Sequence, residues 1–205
     1  MDTDGGVDDA QALLMLIANG RTPDAITTVF GNVGLDVATQ NILATLAVAK
    51  VDVAVHAGAG RPLTQPVIDA KYIHGDDGLG GAPRPDVVAD VASEDANGFL
   101  IETLHAASTR GEKIDILMIG PLTNLALALR LDPTIINGIG QLTIMGGTVY
   151  GRGNTTPAAE FNIYADPEAA AIVFGADIDI LVAPWEPCVL HNMTGEHVDE
   201  LFEAV

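Results

Sequence analysis

Met1-Asp2-Thr3-Asp4-Gly5-Gly6-Val7-Asp8-Asp9 places four carboxylates within eight positions, interrupted by a glycine pair. A helical apolar pattern follows at once in Ala10, Ala12, Leu13, Leu14, Leu16 and Ile17. Gly5-Gly6 allows positive φ, so the chain can wrap tightly before the helix begins. Asp8 and Asp9 then fall at a helix N-terminus, where the dipole tolerates negative charge. A doubled N-cap accounts for one aspartate but requires no more than one. Four in this spacing repel one another unless a cation sits among them, and clustered oxygen ligands select a hard cation such as Ca²⁺ or Mg²⁺.

Outward from this loop, short β-branched runs alternate with longer helical runs, the sign of parallel βαβ units. The pattern predicts strands at Ala25–Phe30, Val53–Ala57, Ile114–Ile119, Gln141–Met145 and Ile178–Val182. Helices are predicted over Asp8–Asn19, Val37–Lys50, Ser93–Ser108, Leu122–Leu131 and Asp166–Phe174, with Thr194 capping a last one to Ala204. Residues 58–91 are rich in Gly and Pro without a sustained period, a long excursion of the kind that is usually functional or mobile. The expected architecture is a doubly wound, mainly parallel α/β sheet in a single domain over residues 1–205. Ligands of such sheets bind outside the carboxyl ends of the strands. Asn32, Pro121-Leu122-Thr123-Asn124 and Gly146-Gly147 all stand just after predicted strands.

Composition narrows the classes. The chain has 205 residues, 48% hydrophobic and 18% charged, which describes a globular protein. Its net charge of −19 argues against a nucleic acid polymer as partner. The acidic N-terminus and the lack of a long apolar run give no sign of a signal peptide or a membrane span. The lone Cys188 fits a reducing compartment, hence an expected cytoplasmic location. With no paired histidine in the sequence pattern, Cys188 is expected in the core or behind the site rather than as a nucleophile.

Two cation-loop patterns fail. An EF-hand needs Glu at the twelfth loop position, which here is Leu13 counted from Asp2 or Met15 counted from Asp4. A haloacid-dehalogenase-type phosphatase opens with Asp-x-Asp-Gly but needs a later Gly-Asp-x-x-x-Asp, and that motif is missing. Asp2, Asp4, Gly6, Asp8, Asp9 and Ala10 instead resemble the opening signature of the calcium-dependent nucleoside hydrolases, with Gly5 in place of the usual Pro. Thr27-Thr28-Val29-Phe30-Gly31-Asn32, Ile73-His74-Gly75-Asp76-Asp77-Gly78-Leu79-Gly80, Gly120-Pro121-Leu122-Thr123-Asn124 and Met145-Gly146-Gly147 are similar to further blocks of that family. So are Gly153-Asn154 and the run Ala159–Ala169.

That resemblance implies hydrolysis of the N-glycosidic bond of ribonucleosides. Asp4 would be calcium ligand and catalytic base, with Asp9 and the Ile119 carbonyl as further ligands. Asp8, Asn154, Glu160 and Asn162 would hold the ribose, with Asn32 nearby and His74 toward the base. The spacing of Glu160 and Asn162 places both on one side of an extended segment. A homo-oligomer, dimer or tetramer, is implied for the complete protein. Two departures stand out. The strand leading into the opening motif is expected to be missing, leaving Asp2 and Asp4 on a frayed end. None of the five histidines precedes an Asp, so the family's His-Asp pair is not found, and the chain is expected to be incomplete at both ends. A protein that keeps the ribose and calcium sites without turnover is the alternative this pattern leaves open.

Overall fold

The computed structural model describes residues 1–85, 89–192 and 194–203, and the backbone alone at 201 and 202. In chain order the elements are β1 (Asp2–Thr3), α1 (Val7–Ala18), β2 (Ala25–Thr28), α2 (Leu35–Ala49), β3 (Ala54–Ala57), α3 (Lys71–His74), α4 (Ala96–Thr109) and β4 (Ile114–Met118). There follow α5 (Thr123–Leu131), a 3-10 turn (Pro133–Gly138), β5 (Ile139–Met145), α6 (Phe161–Ala165), α7 (Pro167–Phe174), β6 (Asp179–Ala183), α8 (Trp185–Leu190) and α9 (Gly195–Glu203). The strands form one sheet in the order β3-β2-β1-β4-β5-β6, and each pairing is parallel. This is the expected doubly wound α/β fold.

Parallel strands joined by right-handed crossovers put α1 and α2 on one face and α4, α5 and α7 on the other. Each face has its own core. Leu13, Ile26, Ile42, Leu46 and Val55 pack on the first. Leu104, Met118, Leu125, Leu142, Ile144 and Val173 pack on the second. The winding direction reverses between β1 and β4, which makes that boundary the place where a ligand crevice opens.

The expectation of a missing first strand is overturned. β1 is only two residues long, yet it is central, with Asp2 in register with Thr27 of β2 and Met118 of β4. Backbone bonds tie it on both sides: Thr27 N donates to Met1 O at 2.8 Å, Val29 N to Thr3 O at 3.0 Å and Ile119 N to Asp2 O at 3.0 Å. Asp2 is 2% exposed and Asp4 is fully buried, so the opening motif is not frayed.

Other boundaries shift for local reasons. α4 begins at Ala96 rather than Ser93, because Asp95 caps it by accepting from Gly98 N at 2.9 Å. Ser93 lies beside β3 instead, where Ala57 N donates to Ser93 O at 2.9 Å. Thr194 does precede the last helix, its hydroxyl accepting from His197 N at 3.4 Å, while Ala204 lies outside the described residues. The excursion after β3 carries one helical turn, α3, and its residues 86–88 also lie outside the described part. Cys188 is exposed on α8, which corrects its expected core position; this six-residue helix buries none of its residues.

Asn124, at the start of α5 and fully buried, ties three segments at the carboxyl ends of the strands. Its Nδ2 donates to Asp2 Oδ2 at 2.7 Å and to Thr28 O at 3.0 Å, while its Oδ1 accepts from Ala59 N at 2.8 Å. Asn124→Ala leaves the Ala59 N–H without its acceptor and takes one of two donors each from Asp2 Oδ2, which keeps the Thr27 hydroxyl, and from Thr28 O, which keeps Gly58 N. Chemical denaturation should show a loss of about 3 kcal/mol; a loss under about 1 kcal/mol, the value of one ordinary hydrogen bond, would mean that these bonds are individually dispensable.

Candidate functional site

Asp4 leaves the end of β1 into Gly5, whose φ of +66° turns the chain, with its α-carbon packed so tightly on Ala38 that a Cβ would lie 2.5 Å from the Ala38 backbone. Gly31 serves the same end from β2, since a Cβ there would stand 2.0 Å from Asp4 Oδ2. Freed of those clashes, Asp4 Oδ2 accepts from Asn32 N at 2.7 Å. Asn32 Nδ2 donates to both Asp4 Oδ1 and Asp9 Oδ2, each at 3.1 Å, so one amide group draws the two carboxylates together. Asp9 also accepts from Gly6 N at 2.9 Å and from the Thr3 hydroxyl.

Both carboxylates are buried, Asp4 at 0% and Asp9 at 2% exposure. Burial, and then the charge of Asp9, push the Asp4 carboxyl well above its ordinary range. Burial, and then the charge of Asp8, raise Asp9 to about 7. Among the described residues neither forms an ion pair with a Lys or Arg. Asp8 itself lies outside this pair, with its side chain 74% exposed and its Oδ1 3.7 Å from His74 Nδ1. His74 Nδ1 accepts from Val7 N at 3.2 Å, which leaves the ring proton on Nε2.

Glu160 and Asn162 are not in an extended segment. Glu160 caps α6, accepting from Asn162 N at 2.9 Å and Ile163 N at 3.3 Å, and it also accepts from Gly147 N at 2.9 Å. Asn162 is thus in the first turn of a helix, where a strand's two-residue alternation does not apply. The two still reach one cavity, because a cap and the residue two places on both sit at the helix mouth. Burial raises the Glu160 carboxyl, against the pull of its N–H donors. Asn162 Nδ2 donates to Ile119 O at 3.0 Å and Met145 O at 3.1 Å, and Asn154 Oδ1 accepts from Phe161 N at 2.8 Å.

These groups border a cavity of about 720 Å³ at the carboxyl ends of the strands. Of the nine residues singled out from the sequence, Asp8, Asn32, His74, Ile119, Asn154, Glu160 and Asn162 line it. Asp4 and Asp9 lie beneath Asn32, bonded to it. A separate apolar cavity of about 300 Å³, bordered by Met1, Leu16, Phe99 and Leu104, lies at the opposite ends of the strands. Sequence reasoning missed Trp185, which also borders the larger cavity. Its position at the carboxyl end of β6 was the signal available. It missed Thr3 too, whose hydroxyl is indistinguishable in sequence from any strand threonine.

A hard cation fits this donor set. Among the described residues no three His, Cys, Asp or Glu side chains converge on a point, so the side chains here offer the two carboxylates of Asp4 and Asp9. The fit rests on the unneutralised buried pair: two like charges this close are stable as ions only with positive charge between them. That gives a pH signature to the metal-free protein. Asp2, raised to about 6 chiefly by burial, and Asp9, raised to about 7, hold protons that the unfolded chain releases near pH 3.9. With more protons bound folded than unfolded, these two groups contribute a stability that falls as pH rises from about 4 to 7, and Asp4, also raised, adds to the decline. Melting curves in excess chelator should show this decline, and added Ca²⁺ should raise the melting temperature most above pH 7. A chelated protein that gains stability from pH 5 to 7 would show that the pair is neutralised some other way.

The profile of the inosine-uridine preferring nucleoside hydrolases matches residues 1–205. Among curated relatives, a non-specific ribonucleoside hydrolase of Salmonella enteritidis is 41% identical over 183 residues, covering 89% of this chain and 58% of that protein. Probable uridine nucleosidase 2 of Arabidopsis thaliana is 38% identical over 206 residues, covering 98% and 63%. Among solved structures, an inosine-guanosine nucleoside hydrolase superposes with a TM-score of 0.86 at 32% identity, covering 98% of this chain and 63% of that one. A plant nucleoside hydrolase gives 0.78 at 38% identity, covering 89% and 58%. The chain thus spans about three-fifths of the length of these relatives, and along its own whole length it belongs to the inosine-uridine preferring nucleoside hydrolase family.

Proposed function

We propose that this protein hydrolyses the N-glycosidic bond of ribonucleosides, releasing free base and ribose. The observation that carries the reading is the buried, unneutralised Asp4–Asp9 pair set beside a pocket walled by Asn32, Asn154, Glu160 and Asn162. Calcium, held by Asp4, Asp9 and the Ile119 carbonyl, would supply the positive charge that keeps both carboxylates ionised.

Asp4 then acts as base toward a water whose oxygen bonds to C1′ of the ribose. The C1′–N bond breaks, its electron pair goes to the base nitrogen, and the sugar passes through an oxocarbenium-like state as in glycoside hydrolysis. Glu160, Asn154 and Asn162 grip the ribose hydroxyls with Asp8, and this fixes C1′ against the water. Asn32 orients Asp4 through two hydrogen bonds and borders the pocket, which supports a contact with the sugar. His74, with its proton on Nε2, borders the pocket, and this supports a role for it on the side of the leaving base.

The same proposal includes one domain over residues 1–205, a cytoplasmic location and a homo-oligomeric state. The lone exposed cysteine supports the second, and the exposed apolar Leu181 and Val182 of β6 support the third. Among the described residues no helix is long and apolar enough to cross a membrane.

Ribose release from inosine and uridine in the presence of Ca²⁺ tests the reading. Asp4→Asn keeps one of the two oxygens that accept from Asn32 but not the base, so turnover should fall by about 10²–10⁴-fold. Full activity in that variant would rule Asp4 out as base. For the sugar clamp, 2′-deoxynucleosides should be poorer substrates than ribonucleosides, and Glu160→Ala should weaken ribose binding and lower turnover. Trp185 is the one tryptophan of the chain and borders the pocket, so its emission follows ligand entry independently of turnover. Equal turnover of ribo- and deoxyribonucleosides would remove the sugar clamp.

A further inference from the structure

Gly147 is held from two sides. Its N–H donates to Glu160 Oε2 at 2.9 Å, and its carbonyl accepts from Trp185 N at 2.9 Å. The residues that follow form a turn whose side chains face solvent, with Val149 68% and Tyr150 84% exposed. Burial of apolar surface therefore does not order this turn. A single carboxylate oxygen does: Glu186 Oε1 accepts from Val149 N and from Tyr150 N, each at 2.9 Å. A carboxylate receiving two backbone N–H groups makes stronger bonds than a neutral acceptor would.

Beyond the turn the chain reaches the pocket wall in a few residues. Gly151 has a φ of +71°, and Gly153 runs so close to Ala159 that a Cβ would lie 2.0 Å from the Ala159 carbonyl oxygen. Asn154 follows, bonded to Phe161 N and bordering the pocket. Residues 147–154 thus form a strap with one end on Glu160, the other at Asn154, and its middle fixed to the first turn of α8. The N–H donors to Glu160 from Asn162 and Ile163 come from its own helix. Gly147 N comes from the strap, so the lateral placement of that carboxylate depends on where the strap lies.

We propose that Glu186 is a positioning residue: by clamping the Val149–Tyr150 turn to α8 it sets Gly147 and Asn154, and through them the ribose-gripping wall made by Glu160 and Asn154. What that wall grips rests on the hydrolase reading above. The clamp itself rests on the hydrogen bonds just given. Glu186 does not border the pocket, so its role is to position the wall and not to take part in the reaction.

Glu186→Ala and Glu186→Gln in the intact protein separate the outcomes. Glutamine keeps an acceptor oxygen for the two N–H groups and alanine does not. In Glu186→Ala the Val149 and Tyr150 amides should exchange with solvent faster than in wild type, and in Glu186→Gln exchange should stay close to wild type. Assayed well below its melting temperature, Glu186→Ala should lose about 10–10²-fold in kcat/KM for inosine and uridine. The ratio of ribonucleoside to 2′-deoxyribonucleoside turnover should narrow with it, and Glu186→Gln should restore both. A purely structural role would lower the melting temperature and leave that ratio unchanged. Unaltered amide exchange in Glu186→Ala would overturn the clamp, and faster exchange with an unaltered sugar ratio would overturn its link to the pocket. Wild-type protein that releases ribose from neither nucleoside would sink the hydrolase reading alone, since the exchange rates decide the clamp by themselves.

Discussion

One amide, Asn32 Nδ2, stands between two buried carboxylates and donates to both. A geometry that sets Asp4 and Asp9 this close is expensive in free energy, because burial and mutual repulsion both oppose ionisation. Much of the surrounding structure serves to impose it. β1 is bonded on either flank, Gly5 and Gly31 remove the Cβ atoms that would push Asp4 away, and Asn124 anchors Asp2 two residues upstream. The fold is over-determined at this point so that a locally unfavourable charge arrangement persists, as expected of a site poised for a cation.

The sheet order explains why the site forms where it does. Asp4 ends β1, Asn32 follows β2, Ile119 ends β4 and Met145 ends β5, so consecutive carboxyl ends contribute in turn. The winding reverses between β1 and β4, the kind of boundary at which a ligand crevice opens in such sheets. The polar wall that completes the pocket comes from farther along, at the mouth of α6. There Glu160 uses its carboxylate to satisfy helix N–H groups, and those bonds fix its side-chain direction.

The strand–helix alternation and the acidic loop were legible because periodicity and charge clustering are local properties of sequence. All nine residues drawn from the motif lie at or just beneath one cavity. What could not be read depends on partners distant in the chain. A two-residue strand has no period to detect, and β1 exists because β2 and β4 bond to its flanks. Glu160 and Asn162 carry the same spacing in a strand or a helix; the cap at Glu160 decides, and it needs Gly147 from another segment. Cys188 sits in an apolar run that reads as core, yet α8 lies on the surface.

Charge placement separates the two kinds of acid in this chain. Asp132 is partly exposed, accepts from Thr134 and lies 2.8 Å from His105 Nε2, and these partners hold its carboxyl down at about 2. Asp2, Asp4 and Asp9 are buried and shift the other way. With a net charge of −19, the added field of so many surface carboxylates also opposes ionisation at the site. Screening by salt weakens that distant field within about 10 Å at 0.1 M ionic strength, whereas the buried pair is screened far less. The demand for a cation therefore arises locally, from Asp4 and Asp9 themselves, and the acidic surface is secondary to it.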